Sequence, residues 1–96
     1  MVLHILNRSP FASRVHEDML RAMVNEDRVL LIEDGVSAAL KAGITLLPTI
    51  DERLYALKED LEARGLSQRC DPCVNIVDVD GFVALTEQAD KVVSWF

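Results

Sequence analysis

Cys70-Asp71-Pro72-Cys73 is the sharpest chemical motif in this sequence of 96 residues. A C-x-x-C can be a redox pair or half of a zinc site. Redox pairs set the first cysteine at a helix N-terminus, where the thiolate is stabilised. Here the pair precedes a strand pattern and carries a proline inside it. A zinc site needs two further ligands, and only His4 and His16 are available, far away and without ligand spacing. No metal, no cofactor and no catalytic residue is therefore expected, and Cys70 and Cys73 are accessory thiols at most. His4, among apolar neighbours, reads as a hydrogen-bonded core or edge residue, with proton or sulfur handling as the alternative. His16, among charged helix residues, reads as solvent-facing. Ser9 has no base at a recognisable spacing, so a serine nucleophile is not expected.

Ligands of open α/β sheets gather beyond the carboxyl ends of the strands. Four loops meet that description: 7–11, 34–35, 58–60 and 78–81. They place His4, Asn7, Ser9, Asp34 and Gly35 as strand-end candidates. Asp, Asn and Ser also belong in turns for local hydrogen-bonding reasons, so a purely structural role competes. The chain has no G-x-G-x-x-G and no P-loop lysine, so nucleotide binding has no support.

The elements that must position these residues follow from the apolar pattern. Strands are expected at 2–6, 29–32, 53–57, 74–78 and 91–95. The run Val29-Leu30-Leu31-Ile32 is continuous, as in strands covered on both faces. Ser13 is a candidate N-cap for a helix in which Val15, Met19, Ala22 and Met23 face the core. Residues 36–42 form a short helix candidate stopped by Gly43. Lys58 to Arg64 form another, stopped by Gly65. Asp80 is a candidate cap for a helix over 81–88. Residues 44–51 are ambiguous because Pro48 interrupts an apolar segment. Strands alternating with helices imply βαβ units, a mostly parallel five-stranded sheet and helices on both faces, hence a three-layer α/β/α fold in one domain over 1–96.

Composition narrows the function classes. Ten basic against 16 acidic residues give a net charge of −6, and no two basic residues are adjacent. Direct nucleic-acid binding needs clustered cations and is not expected. An anionic membrane surface is disfavoured for the same reason, and no apolar run approaches the roughly 20 residues of a membrane span. The N-terminus lacks the pattern of a signal peptide, which points to the cytoplasm, where two cysteines stay reduced. Half of the residues are hydrophobic in a small chain. Such a chain gains from burying surface against a partner. Ala38 and Ala39, with small side chains, and Trp95 and Phe96, with large ones, are the interface candidates. The isolated chain is expected to self-associate or to be poorly soluble.

Taken in order, these pieces resemble the DsrH/TusB family. Leu3-His4-Ile5-Leu6-Asn7-Arg8-Ser9-Pro10-Phe11 looks like its N-terminal signature. Residues 29–36 with Ala38-Ala39 look like its second strand and turn. Tyr55-Ala56-Leu57, Glu59-Asp60-Leu61 and Ala63-Arg64-Gly65 are similar to its third strand and helix. Asp78, Gly81-Phe82-Val83, Leu85-Thr86 and Trp95 complete the pattern. The resemblance implies a five-stranded parallel sheet between helices. It also implies a heterohexamer with two homologous small α/β subunits, TusC/DsrF-like and TusD/DsrE-like, in which a partner carries the principal sulfur-bearing cysteine. Such complexes pass persulfide sulfur toward 2-thiolation of the tRNA wobble uridine, or serve intracellular sulfur oxidation. Some members carry a cysteine in the first helix. That position falls at Met19 here, and a thioether cannot form a persulfide.

Three functions therefore compete. The first is a non-catalytic subunit of a sulfur-relay (sulfurtransferase) complex, serving tRNA thiolation or, as a DsrH subunit, sulfur oxidation. The second is an independent thiol-redox protein using Cys70 and Cys73. The third is a binding module with a ligand at the strand ends.

Overall fold

The computed structural model describes residues 1–47 and 52–96. Five strands form one sheet: β1 (Val2–Leu6), β2 (Arg28–Leu31), β3 (Leu54–Leu57), β4 (Asn75–Val77) and β5 (Lys91–Trp95). Their order is β4-β3-β2-β1-β5, and every pairing is parallel. The expected strands are present, with ends moved by one residue or so. The part of the ambiguous segment at 48–51 lies outside the described residues.

Parallel neighbours need crossovers, and the crossovers of this chain run in two directions. Helix α1 (Val15–Ala22), a 3₁₀ segment (Glu33–Ala39), α2 (Lys41–Ile44) and α3 (Lys58–Ala63) connect β1 through β4 stepwise. Met19, Val36, Ala38, Ala39 and Leu61 from these segments pack with Leu6, Val29, Leu31, Leu54 and Ala56 of the sheet. The last crossover, α4 (Val79–Gln88), returns across the sheet to the opposite edge. A right-handed return in the reverse direction must use the other face. Leu85 and Phe82 accordingly meet Leu3, Ile5, Leu30, Tyr55 and Val77, which alternate with the residues of the first face. Both faces carry helices, as expected, but unequally, because α4 alone covers the second.

Several local expectations change. The residue before α1 is Arg14, while the Ser13 hydroxyl accepts only from the Val15 N–H at 3.2 Å. Ala22 is exposed and His16 is buried, contrary to the expected solvent-facing histidine. His16 stands at i, i+3, i+4 and i+7 with Met19, Leu20 and Met23, so it shares their inward stripe. Gly43 lies inside α2 and does not stop a helix. A side chain there would meet the Ala38 Cα at 2.5 Å, so glycine permits a close backbone approach. Helix α4 is capped by Asp78, whose Oδ1 accepts from the Gly81 N–H at 2.9 Å, and Asp80 falls within its first turn. Helix α3 ends before Gly65, as the pattern required.

Candidate functional site

Polar side chains on and around β1 and β2 gather in two places: on the first face of the sheet, and in the loops beyond the carboxyl ends. The first group is buried. His4 and Asp27 are 3% and 2% exposed. The Asp27 carboxylate accepts from the Val2 N–H at 3.0 Å and the Val24 N–H at 3.1 Å, and lies 3.0 Å from His4 Nε2. On the other side of the ring, Trp95 Nε1 lies 3.1 Å from His4 Nδ1. An indole nitrogen can only donate. Nδ1 is therefore the acceptor, and the ring proton sits on Nε2 and is given to Asp27. Burial pushes the Asp27 pKa up, but the hydrogen bonds from His4, Val2 and Val24 outweigh it, and the carboxyl sits below its ordinary range.

The register explains the arrangement. His4 opposes Val93 and Leu6 opposes Trp95, so Trp95 is the diagonal neighbour of His4 on the same face. The indole thus ties the edge strand β5 to the middle of the sheet. Trp95, one of the interface candidates, is half-buried: its indole N–H is committed to His4 and its ring packs on the chain's own core. Trp95→Phe keeps the apolar bulk and leaves a buried Nδ1 without a donor. It should cost about 1–3 kcal/mol in urea unfolding. An unchanged midpoint would mean that the indole bond contributes nothing.

The second group lies at the carboxyl ends. Asn7 follows β1, and its buried Oδ1 has no partner among the described residues. The Ser9 and Ser37 hydroxyls share a hydrogen bond at 2.8 Å, and Ser37 also reaches the Asp34 carbonyl at 3.0 Å. Ser9 Oγ further accepts from the Phe11 N–H. With these partners, Ser9 is a turn residue without a base. Gly35 sits directly over the end of β1, where an added Cβ would meet the Leu6 carbonyl oxygen at 2.1 Å. The Asp34 carboxylate receives Arg64 Nη2 at 3.2 Å. Glu33 holds a left-handed φ of 49°, and its N–H is caught by Asp60 Oδ2 at 2.6 Å. The structure thus brings Asn7, Ser9, Asp34 and Gly35 together at one end of the sheet. It separates them from His4, which faces the core. Ser37, Asp60 and Arg64 complete this end. Their separations from its other members carried no motif.

The thiols lie elsewhere. Cys70 forms an isolated antiparallel bridge with Leu40, and the Asp71 N–H donates to the Ala39 carbonyl at 2.8 Å. Burial and the neighbouring Asp71 carboxylate push the Cys70 thiol up, away from the thiolate form. Cys73 is exposed, and its N–H donates to Asp71 Oδ1 at 2.9 Å. Cys70 and Cys73 are not joined in a disulfide. Ala38 and Ala39 are fully buried in the chain's own core, so their expected interface role is corrected: their small side chains admit the sheet, not a partner. Phe96 is 74% exposed. Among the described residues no cluster of three or more His, Cys, Asp or Glu could hold a metal ion. No helix among them is long and apolar enough to cross a membrane.

Comparison with known proteins agrees with this geometry. A family model described as DsrH like protein matches residues 8–92. The chain is 38% identical over 96 residues to Protein TusB of Erwinia tasmaniensis, covering 98% of this chain and all of that protein. It is 36% identical, over the same shares, to Protein TusB of Escherichia coli O81. The crystal structure of the ychN protein from E. coli superposes with a TM-score of 0.79 at 21% identity, covering 97% of each chain. The solution structure of Protein Tm0979 from Thermotoga maritima gives a TM-score of 0.69 at 30% identity, covering 91% of this chain and 92% of that one. These likenesses match the all-parallel five-stranded sheet.

Proposed function

The chain belongs to the DsrH/TusB family, and from that premise we propose that it is a structural subunit of a sulfur-relay complex that serves 2-thiolation of the tRNA wobble uridine. The observation that carries the proposal is the match to Protein TusB over the whole length of both chains. The partners proposed are two homologous small α/β subunits, TusC-like and TusD-like, and the cytoplasm is the proposed setting.

The chemistry of this chain supports a role that is not catalytic. A persulfide carrier needs an accessible thiolate. Met19, where some relatives carry a cysteine, is a fully buried thioether. Cys70 is held as the thiol by burial and by Asp71. An independent thiol-redox protein therefore has the weaker physical basis. The sheet supports association. Its second face carries one helix, and β5 adds Val92 to that face in register with Leu3. Val79, Val83, Val92 and Phe96 are all exposed there or beside it. Such apolar surface marks a partner face.

The test is co-expression with the two homologous subunits. A defined hetero-oligomer should form, and replacing Cys70 and Cys73 together by Ser should leave both assembly and sulfur transfer within about twofold of the parent, as expected for substitutions away from the reacting atoms. Persulfide on either cysteine by mass spectrometry, with transfer lost in the double variant, would overturn the non-catalytic role. Failure to co-purify would overturn the subunit role itself.

A further inference from the structure

Among the described residues, five of the ten basic side chains are matched to acceptors or to a ring; two of the others, Lys41 and Arg69, converge on one surface cavity. The cavity holds about 520 Å³ and is lined by Leu40, Lys41, Ala42, Thr45 and Arg69. Its volume is in the range of a bound ligand (roughly 300–1,000 Å³). It exists because the Leu40–Cys70 bridge draws the segment after the 3₁₀ turn and the segment before the C-x-x-C together. No salt bridge joins either cation to a carboxylate among the described residues. Asp71 is the carboxylate whose charge reaches Lys41, and its Oδ1 is occupied by the Cys73 N–H.

We propose that this cavity binds an acidic segment of a partner polypeptide, with a carboxylate between Lys41 and Arg69 and an apolar side chain on Leu40 and Ala42. Charge complementarity selects the carboxylate. Two cations with one apolar floor in a chain of net charge −6 form a local exception to its surface. The third polar group selects a peptide over a phosphate. The Thr45 hydroxyl donates to the Ala42 carbonyl at 2.7 Å, so it offers the ligand an acceptor oxygen. A phosphate oxygen finds no donor there, whereas a backbone N–H finds an acceptor. Two isolated cations are also too few to displace the counterions of a nucleic-acid backbone. The inference goes beyond the family reading and does not depend on the partners' sulfur chemistry.

The experiment is an amide-shift NMR titration of the full chain with the peptide acetyl-Leu-Glu-Glu-Leu-amide at low salt. Saturable shifts should centre on residues 40–45 and 69, with a dissociation constant on the order of 1 mM for so short a probe. Lys41→Gln with Arg69→Gln, both at exposed positions, should weaken binding roughly five- to tenfold without changing the unfolding midpoint. The neutral peptide acetyl-Leu-Gln-Gln-Leu-amide should bind correspondingly more weakly. The proposal fails if no saturable shifts appear, if they centre elsewhere, or if the neutral peptide binds equally. It also fails if hexauridylate shifts the same amides more strongly than the acidic peptide, which would assign the cavity to nucleic acid. Loss of co-purification with the homologous subunits would leave this titration untouched, so the two readings fail separately.

Discussion

Asp27→Ala should destabilise the fold by about 3–5 kcal/mol, because it removes one partner of a buried polar network and strands the rest. Three donors converge on this carboxylate: the amides of Val2 and Val24 and the ring of His4. With alanine there, each keeps its desolvation cost and loses its acceptor. A domain this small has only about 5–15 kcal/mol in total, so urea unfolding should show a large fall in midpoint. Asp27→Asn is the sharper comparison. An amide keeps one acceptor oxygen and turns its NH₂ either on His4 and Val24, which share Oδ2, or on Val2, which uses Oδ1, so it should recover less than half of the loss. A loss under about 1 kcal/mol in Asp27→Ala would show that the network is dispensable. The pH dependence follows with its sign. The folded pKa lies below the ordinary 3.8. The stabilisation is therefore complete above the unfolded value and disappears as pH falls through the folded one. The parent should lose stability below about pH 4, and Asp27→Ala should lose less over the same range.

Gly35→Ala should be the second large effect, at about 2–4 kcal/mol. The contact concerned is with backbone, not with a side chain that could turn away. A Cβ at Gly35 would stand 2.1 Å from the Leu6 oxygen and 2.9 Å from its carbon. Leu6 ends a strand held on both sides, so the 3₁₀ segment must give way. Its displacement would separate Ser37 from Ser9 and Asp34 from Arg64, which are the contacts that shape the carboxyl end. Gly65→Ala is the control. Nothing lies within 4 Å of its Cβ, and its φ of +65° should cost only about 1 kcal/mol. Equal losses at the two glycines in thermal unfolding would remove the clash as the explanation.

The sheet was legible in the sequence because each strand is a short aliphatic run bounded by turn residues, as in Val29 to Ile32 before Glu33-Asp34-Gly35. Parallel pairing followed from the helical patterns between the runs. The partners of the buried polar groups were not legible. Asp27 looks like any turn aspartate before a strand, and its meaning depends on His4, two elements away. His16 was masked by charged neighbours, although its spacing to Met19, Leu20 and Met23 carries the inward stripe. Ala38 and Ala39 looked available because small residues suit close approach. The approach is real, but it is made by this chain's own sheet. At the carboxyl end, Asn7, Ser9, Asp34 and Gly35 were legible as strand-end residues. Their companions Ser37, Asp60 and Arg64 were not, since tertiary hydrogen bonds leave no periodicity.

The return of α4 across the sheet also governs how the molecule can be made. Val2 pairs with Lys91, and Leu6 with Trp95, so β1 acquires its second neighbour from the far end of the sequence. While the chain is being synthesised, the stepwise half from β1 to β4 can form behind the growing end. Until α4 and β5 emerge, that half has an open parallel edge along β1 and a bare apolar face of Leu3, Ile5 and Leu30. Non-local closures of this kind are slow, and the exposed edge meanwhile invites pairing with other chains. A chain released before β5 is made therefore keeps the open edge of β1 and is a sticky fragment rather than a slightly shortened fold.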